Sequence, residues 1–303
     1  MPALKSTRII EAKAPAKVNL FLEVIGKRPD GYHQISSIAA PVTLYDELTF
    51  EKADRIELTC DNQDIPSDDS NLVVKAAKLL QDKCSVSTGA RISLRKKIPA
   101  GAGLGGGSSD AAAAILALNE MWELGLAFEE MVSIAADTGS DVALFLCGGV
   151  VHMQGRGERV SPVENRLREF RLVLAVPPFG VSTAEVYSRV RVPDAQHRKS
   201  ASGMIEGFAG GNWELVARNT YNRLQQAAYE TEPQLEELCE SIAGVTQLPV
   251  RMTGSGSAFF ICCKSADESA EVSQLLAEIE DMHVVEVSVL APSAAKSTVG
   301  AGK

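Results

Sequence analysis

Pro99-Ala-Gly-Ala-Gly-Leu-Gly-Gly-Gly-Ser-Ser-Asp110 is the stretch on which the reading of this chain turns. Five glycines, at 101, 103, 105, 106 and 107, are followed by Ser108 and Ser109. The segment before it alternates apolar Ile92, Leu94 and Ile98 with charge, the pattern of a half-buried strand. The segment after it is alanine-rich and reads as a helix over roughly 109–124. A strand, a glycine loop and a helix in this order suit an anion. Glycine lets the backbone approach a bulky group and turn N–H donors toward it. The helix N-terminus adds free N–H groups and the positive end of its dipole. The two serine hydroxyls add further donors. The whole loop, with Pro99, Ala100, Ala102 and Leu104 between the glycines, is therefore read as a cradle for a di- or triphosphate.

Other glycine-loop readings fit less well. No Gly-Lys-Ser/Thr closes the loop, so it is not a Walker P-loop. Gly101, Gly103 and Gly106 satisfy the dinucleotide-fold spacing, but that fold needs an apolar strand before the loop and an acidic strand end about 20 residues on. Here the strand carries Arg91, Arg95, Lys96 and Lys97, and the chain near Met121–Glu123 is still helical in pattern. The Val-Ala-Ile-Lys and His-Arg-Asp signatures of protein kinases do not follow. A flexible turn that merely needs glycines is the bland alternative, and the helix directly behind the loop argues against it.

The chain has 303 residues, 45% hydrophobic and 23% charged, which allows two ordinary domains with packed cores. Its net charge of −9 and the lack of a long basic run speak against a nucleic-acid partner. Six cysteines show no Cys-x-x-Cys pair and no zinc-finger spacing, which fits free thiols in a reducing compartment. No stretch approaches 18 uninterrupted apolar residues, and Met1–Lys13 lacks a signal-peptide core, so the expectation is a cytoplasmic protein without a membrane partner. Nothing here separates a monomer from a homodimer.

Working outward, residues 9–25, 35–50 and 55–60 read as strands, with a turn at Lys27–Gly31 set by Pro29 and Gly31. Asn71 stands where an N-cap would begin a helix at Leu72. Helices are expected near 129–137, 183–191, 212–228, 233–243 and 267–280. Strands are expected near 150–153, 171–176, 250–263 and 283–290. The class is α+β, with domains at 1–162 and 163–290 and an unstructured tail from 291 to 303.

With its neighbours, the loop resembles the signature of the GHMP kinase superfamily. Four more blocks point to one branch of it: Ala14-Pro-Ala-Lys-Val-Asn-Leu-Phe-Leu-Glu-Val24, Arg28-Pro-Asp-Gly-Tyr-His-Gln-Ile35, Gly139-Ser-Asp-Val-Ala-Leu-Phe-Leu-Cys-Gly-Gly149 and Met252-Thr-Gly-Ser-Gly-Ser-Ala-Phe-Phe260. Ala143 departs from the proline usual there. The resemblance implies a ribosomal-S5-like N-terminal domain and a ferredoxin-like C-terminal domain. It also implies ATP with Mg²⁺, and phosphoryl transfer to the hydroxyl of a cytidine-diphosphate-linked polyol of the non-mevalonate isoprenoid route. The Asp-Gly-Tyr-His block argues against mevalonate, homoserine or galactose as substrate, and against diphosphomevalonate decarboxylation. A non-catalytic binder on this fold would lack Lys17 or Asp141, and both are present.

The resemblance also implies roles. Asp141 is the expected general base, against a turn or helix-cap aspartate; Lys17 is expected beside it, against an edge-strand surface lysine. Asn19, two residues on, shares the Lys17 face. Tyr32 and His33 are expected to contact the cytidine, with Tyr187 as a second stacking face; core packing is the alternative for the tyrosines. Asn71 lies either near the adenine or simply at the helix cap. Ser108 is the candidate metal ligand. Gly254, Ser255 and Gly256, with Thr253, are expected to form a second backbone cradle, against a hairpin bulge.

Overall fold

A computed structural model describes residues 9–291 and 299–301. Its frame is a long antiparallel hairpin of β1 (Ile10–Lys27) and β2 (His33–Ala53). The connecting turn closes through Arg28 N–H to the Tyr32 carbonyl at 2.7 Å, and Gly31 takes φ +87. β4 (Gly89–Arg95) runs antiparallel to β2, and β3 (Glu57–Cys60) parallel to β4. β5 (Val151–Gly155) pairs with the first part of β2, and β6 (Arg159–Pro162) with β5. Four helices, α1 (Leu72–Cys84), α2 (Gly106–Met121), α3 (Phe128–Thr138) and α4 (Val142–Cys147), share one core with Ile10, Leu48, Phe50 and Ile92. The buried Ala111–Ala114 run lets α2 pack closely there.

The second sheet is antiparallel, in the order β11 (His283–Ser288), β7 (Arg171–Val176), β10 (Phe259–Cys263), β9 (Val250–Met252). Its period of two divides it between two cores. Leu172, Leu174 and Phe260 face a core shared with Val18 and Leu20 of β1. Val173, Ala175, Phe259 and Ile261 face a core that includes Leu224 and Ala228 of α8 (Leu224–Thr231), Leu235 and Ile242 of α9 (Gln234–Thr246), and Val272 and Leu276 of α10 (Ala266–Ala277). As expected for adjacent strand residues, Cys262 packs on the first of these cores and Cys263 on the second.

Several elements depart from the sequence reading. α2 begins at Gly106, three residues before Ser109, because the last loop glycines already form its first turn. The helix expected over 212–228 is α7 (Trp213–Arg218), a short strand β8 (Tyr221–Asn222) and α8. The break is made by side chains: Thr220 Oγ1 donates to the Ala217 carbonyl, and Asn222 Oδ1 accepts from Leu224 N–H. β8 then pairs with β1 at Phe21 and Leu22. α6 (Ser202–Gly210) went unread because it holds three glycines. One is needed for packing, since a Cβ on Gly207 would stand 2.8 Å from Val216 Cγ2 of α7. In the tail, residues 299–301 form β12 against β1, contrary to the unstructured reading. Residues 292–298 and 302–303, and most of the N-terminal segment read for targeting, lie outside the described residues. No described helix is long and apolar enough to cross a membrane.

Candidate active site

A cavity of about 1050 Å³ is lined by β1, the glycine loop, α2, α5 (Thr183–Arg189) and the 254–255 turn. Its first wall is the loop. Gly101, Gly103 and Gly105 take φ +70, +76 and +72, while Ala102 and Leu104 between them are buried. The Gly-Ala-Gly-Leu-Gly pattern thus alternates left-handed glycines with apolar anchors. The anchors fix the loop at both ends: Lys17 N–H donates to the Leu104 carbonyl at 2.9 Å, and Ala258 N–H to the Ala102 carbonyl at 3.1 Å. A Cβ on Gly103 would stand 2.5 Å from the Thr253 carbonyl oxygen, so no side chain fits there. α2 has Gly105 as its N-cap, with no side-chain hydrogen bond. Its first N–H groups, at Gly106, Gly107 and Ser108, are therefore left for the cavity, with the positive end of the dipole.

The second wall carries charge. Lys17 is buried on β1, and its Nζ donates to Asn19 Oδ1 and to the Gly103 carbonyl at 2.6 Å. Burial pushes the Lys17 ammonium down in pKa, and the negative charge of Asp141 pulls it back up. Asn19 is held in turn: its Nδ2 donates to Ser37 Oγ at 2.8 Å, and its N–H to Thr253 Oγ1 at 2.9 Å. Gly254, at φ +58, presses on this group, since a Cβ there would lie 3.3 Å from Lys17 Nζ, Asn19 Oδ1 and the Gly103 carbonyl. Asp141 stands at the N-cap position of α4, yet its side chain makes no capping bond. It forms no ion pair with Lys17; the two face one cavity and interact through its field.

The far end is aromatic. The His33 and Tyr187 rings lie 5.3 Å apart at 32°, and Arg156 sits 5.4 Å over the Tyr32 ring. Tyr32 is 54% exposed at the rim, so it is not a core residue. Burial and the Lys27 ammonium push the His33 imidazole down, while burial and Asp141 push the Tyr187 phenol up. Ser255 Oγ meets Thr183 Oγ1 at 2.8 Å and closes this end.

Three expected residues are not on the wall, the first being Thr253, which is buried with its Oγ1 accepting from Asn19 N–H. The Ser109 hydroxyl is buried without a hydrogen-bond partner, turned away by the helix that begins at Gly106. Gly256 is buried behind Gly103, where a Cβ on Gly103 would meet its carbonyl at 2.9 Å. Asn71 does cap α1, accepting from Val73 N–H at 2.9 Å, and it also reaches the cavity. Among the described residues no cluster of three or more His, Cys, Asp or Glu is suited to a metal. Ser108 is the hydroxyl on the phosphate side of the wall.

Sequence reasoning missed Lys27, Lys96, Asp110, Ser140, Arg156 and Thr183 on the wall. Lys96 Nζ, beneath the loop, bridges Asp46 and Asp110, the latter at 2.8 Å. Asp46 also accepts from Lys97 and Ile98 N–H at 2.6 and 2.9 Å, tying the end of β4 to β2. The doubled lysine that breaks the strand alternation was the available signal. Asp110 Oδ1 has no partner, and burial with the neighbouring Asp46 charge raises its carboxyl to about 7, against the pull of Lys96. Between its usual value near 3.9 and about 7 the native state holds a proton that the unfolded chain lacks. Wild-type stability therefore falls as pH rises through that window. Asp110→Asn, which does not titrate, should gain stability relative to wild type between pH 5 and pH 8 in parallel urea melts. A difference independent of pH would refute this.

Comparison with known proteins gives the family. The family model "GHMP kinases N terminal domain" matches residues 71–149, and "GHMP kinases C terminal" matches residues 204–278. A 4-diphosphocytidyl-2-C-methyl-D-erythritol kinase of Geobacillus sp. (strain WCH70) is 38% identical over 250 residues, 82% of this chain and 86% of its own. A crystal structure of 4-(cytidine 5'-diphospho)-2C-methyl-D-erythritol kinase superposes with TM-score 0.77 at 33% identity, covering 93% of this chain and 99% of that one. A homoserine kinase from Cytophaga hutchinsonii, at 16% identity and TM-score 0.75 over 100% of this chain and 99% of its own, shares the fold.

Proposed function

The chain belongs to the GHMP kinases, and from that premise we propose that it moves the terminal phosphate of ATP onto the 2-hydroxyl of 4-diphosphocytidyl-2-C-methyl-D-erythritol. The observation that carries the reading is the meeting of three things in one cavity. They are the uncapped N-terminus of α2, a buried ammonium, and a carboxylate free of protein hydrogen bonds.

Phosphoryl transfer asks the protein mainly for position and charge. The N–H groups of 106–108 and the loop backbone hold the polyphosphate. The adenine lies toward Asn71 and Pro66. Ser108 Oγ is the protein oxygen that would hold a Mg²⁺ bound with the nucleotide, and the ion would supply positive charge to the phosphates. Asp141 accepts the proton of the attacking hydroxyl. Lys17 faces the charge that builds on the transferred group. The Asn19 and Gly103 oxygens aim it. His33 and Tyr187 grip the cytosine, with Tyr32 and Arg156 over the rim.

A base stacked on an aromatic ring is worth about 1–3 kcal/mol. His33→Ala should accordingly raise KM for the cytidyl substrate roughly 5- to 100-fold, with KM for ATP unchanged. Tyr187→Phe, which keeps the ring, should behave as wild type. Steady-state kinetics with each substrate varied checks both, and an unchanged cytidyl KM in His33→Ala would remove the stacking role.

The function itself is tested by coupled ADP release with ATP and Mg²⁺, offering the cytidyl substrate beside mevalonate, homoserine and galactose. Release with the cytidyl substrate alone is expected. Release with another alcohol would keep the kinase and discard the aromatic end as a cytosine site.

A further inference from the structure

On the other side of α5 lies a second cavity, of about 450 Å³. That is within the roughly 300–1,000 Å³ range of small-molecule sites. Its wall brings together Arg189, Arg191, Arg223 and Arg251 with Tyr221 and Tyr229. Such a gathering of guanidiniums is unexpected on a chain of net charge −9. The cations are only partly compensated. Buried Glu23 accepts two bonds from Arg223, at 2.7 and 2.9 Å, a third reaches the His197 carbonyl at 3.5 Å, and Arg223 also lies over the Tyr221 ring. Glu230, on the same wall, reaches only Arg191, at 3.7 Å. Arg189 and Arg251 have no carboxylate partner among the described residues. Arg251 is braced by two carbonyls, those of Thr220 and Val250, which leaves its Nη2 without a partner among the described residues. The Tyr229 hydroxyl, beside Cys239 and Gln225, is buried and closes no hydrogen bond of ordinary geometry.

Like charges gathered around a concave surface raise the local potential and concentrate counter-ions. The planar, fixed fork of arginine matches phosphate oxygens in pairs. We propose that this cavity is a second ligand site, for the phosphate or diphosphate group of a small metabolite, separate from the glycine-loop cavity. Two connections link it to the active cavity. α5 presents Thr183 and Tyr187 to the first and Arg189 to the second. Asn222, on the second wall, donates to the Met252 and Gly254 carbonyls at 2.7 and 2.8 Å and so holds the turn that abuts Lys17.

The inference rests on the arginine geometry and not on the reaction assigned above. Its test is titration calorimetry of the full chain with inorganic pyrophosphate, without metal and in saturating ADP, on wild type and on the charge-reversed Arg189→Glu/Arg191→Glu chain. Both side chains are exposed, so the variant should fold, as circular dichroism would show. One pyrophosphate per wild-type chain is expected, weakening with added salt. Binding in the variant should fall at least about tenfold, the loss of one charge-assisted hydrogen bond. Inorganic phosphate in a parallel run distinguishes a monophosphate site from a diphosphate one by which binds more tightly. No heat in wild type, or equal binding in both chains, would overturn the proposal.

Discussion

Replacing Asp141 by alanine should lower kcat by roughly 10²–10⁴, the usual contribution of a general base, and leave ATP affinity almost unchanged. The carboxylate stands at a helix start but caps nothing, so its loss costs the fold little. It lies on the cavity wall but belongs to neither the glycine loop nor the α2 N-terminus, so nucleotide binding should survive. Asp141→Asn, of the same shape without the charge, should fall in the same range. Pre-steady-state phosphoryl transfer and a separate nucleotide titration measure the two quantities. Near-normal turnover would end the assignment of Asp141 as base.

Lys17→Met carries the second large effect. The ammonium is buried, and a methionine fills much of the same stem without charge. Methionine leaves the Asn19 Oδ1 and the Gly103 carbonyl without their donor, so a loss of about 1–3 kcal/mol of stability is expected. Activity should fall further: removing one preorganised donor to developing charge costs about 10²–10³ in kcat. A folded, slow enzyme is the expected signature, and a folded enzyme of full rate would show Lys17 to be structural. Asp141 and Lys17 face one cavity, where the Asp141 charge opposes the downward push of burial on the Lys17 ammonium, so the two are expected to act together. The double variant should be little slower than the slower single one.

What could be read from the sequence was local. The loop declared itself through glycine spacing, and the strand and helix around it through period. Asn71 was legible as a cap because an Asn before an apolar-periodic run has a mechanism. Its place near the adenine was implied by the resemblance alone, since the reach into the cavity depends on Pro66 and the loop folding over it. The Lys96 clamp stayed hidden for the same reason. Its carboxylates lie 50 and 14 residues away, and no periodicity links them. α6 was lost to its glycines, whose propensity cost is outweighed by Met204 and Phe208 entering the shared core. Ser109 was read as the start of the helix, whereas in the structure its buried hydroxyl lies in the first turn of a helix that starts three residues earlier. At 3.6 residues per turn such an error redirects a side chain.

The central claim is that this cavity transfers phosphate to the cytidyl substrate, and phosphorus NMR of the complete reaction tests it most directly. With ATP, Mg²⁺ and 4-diphosphocytidyl-2-C-methyl-D-erythritol, the account predicts ADP together with one new phosphomonoester resonance, the substrate's own diphosphate remaining intact. ADP appearing with inorganic phosphate and no new ester, or no change in the spectrum, would contradict it.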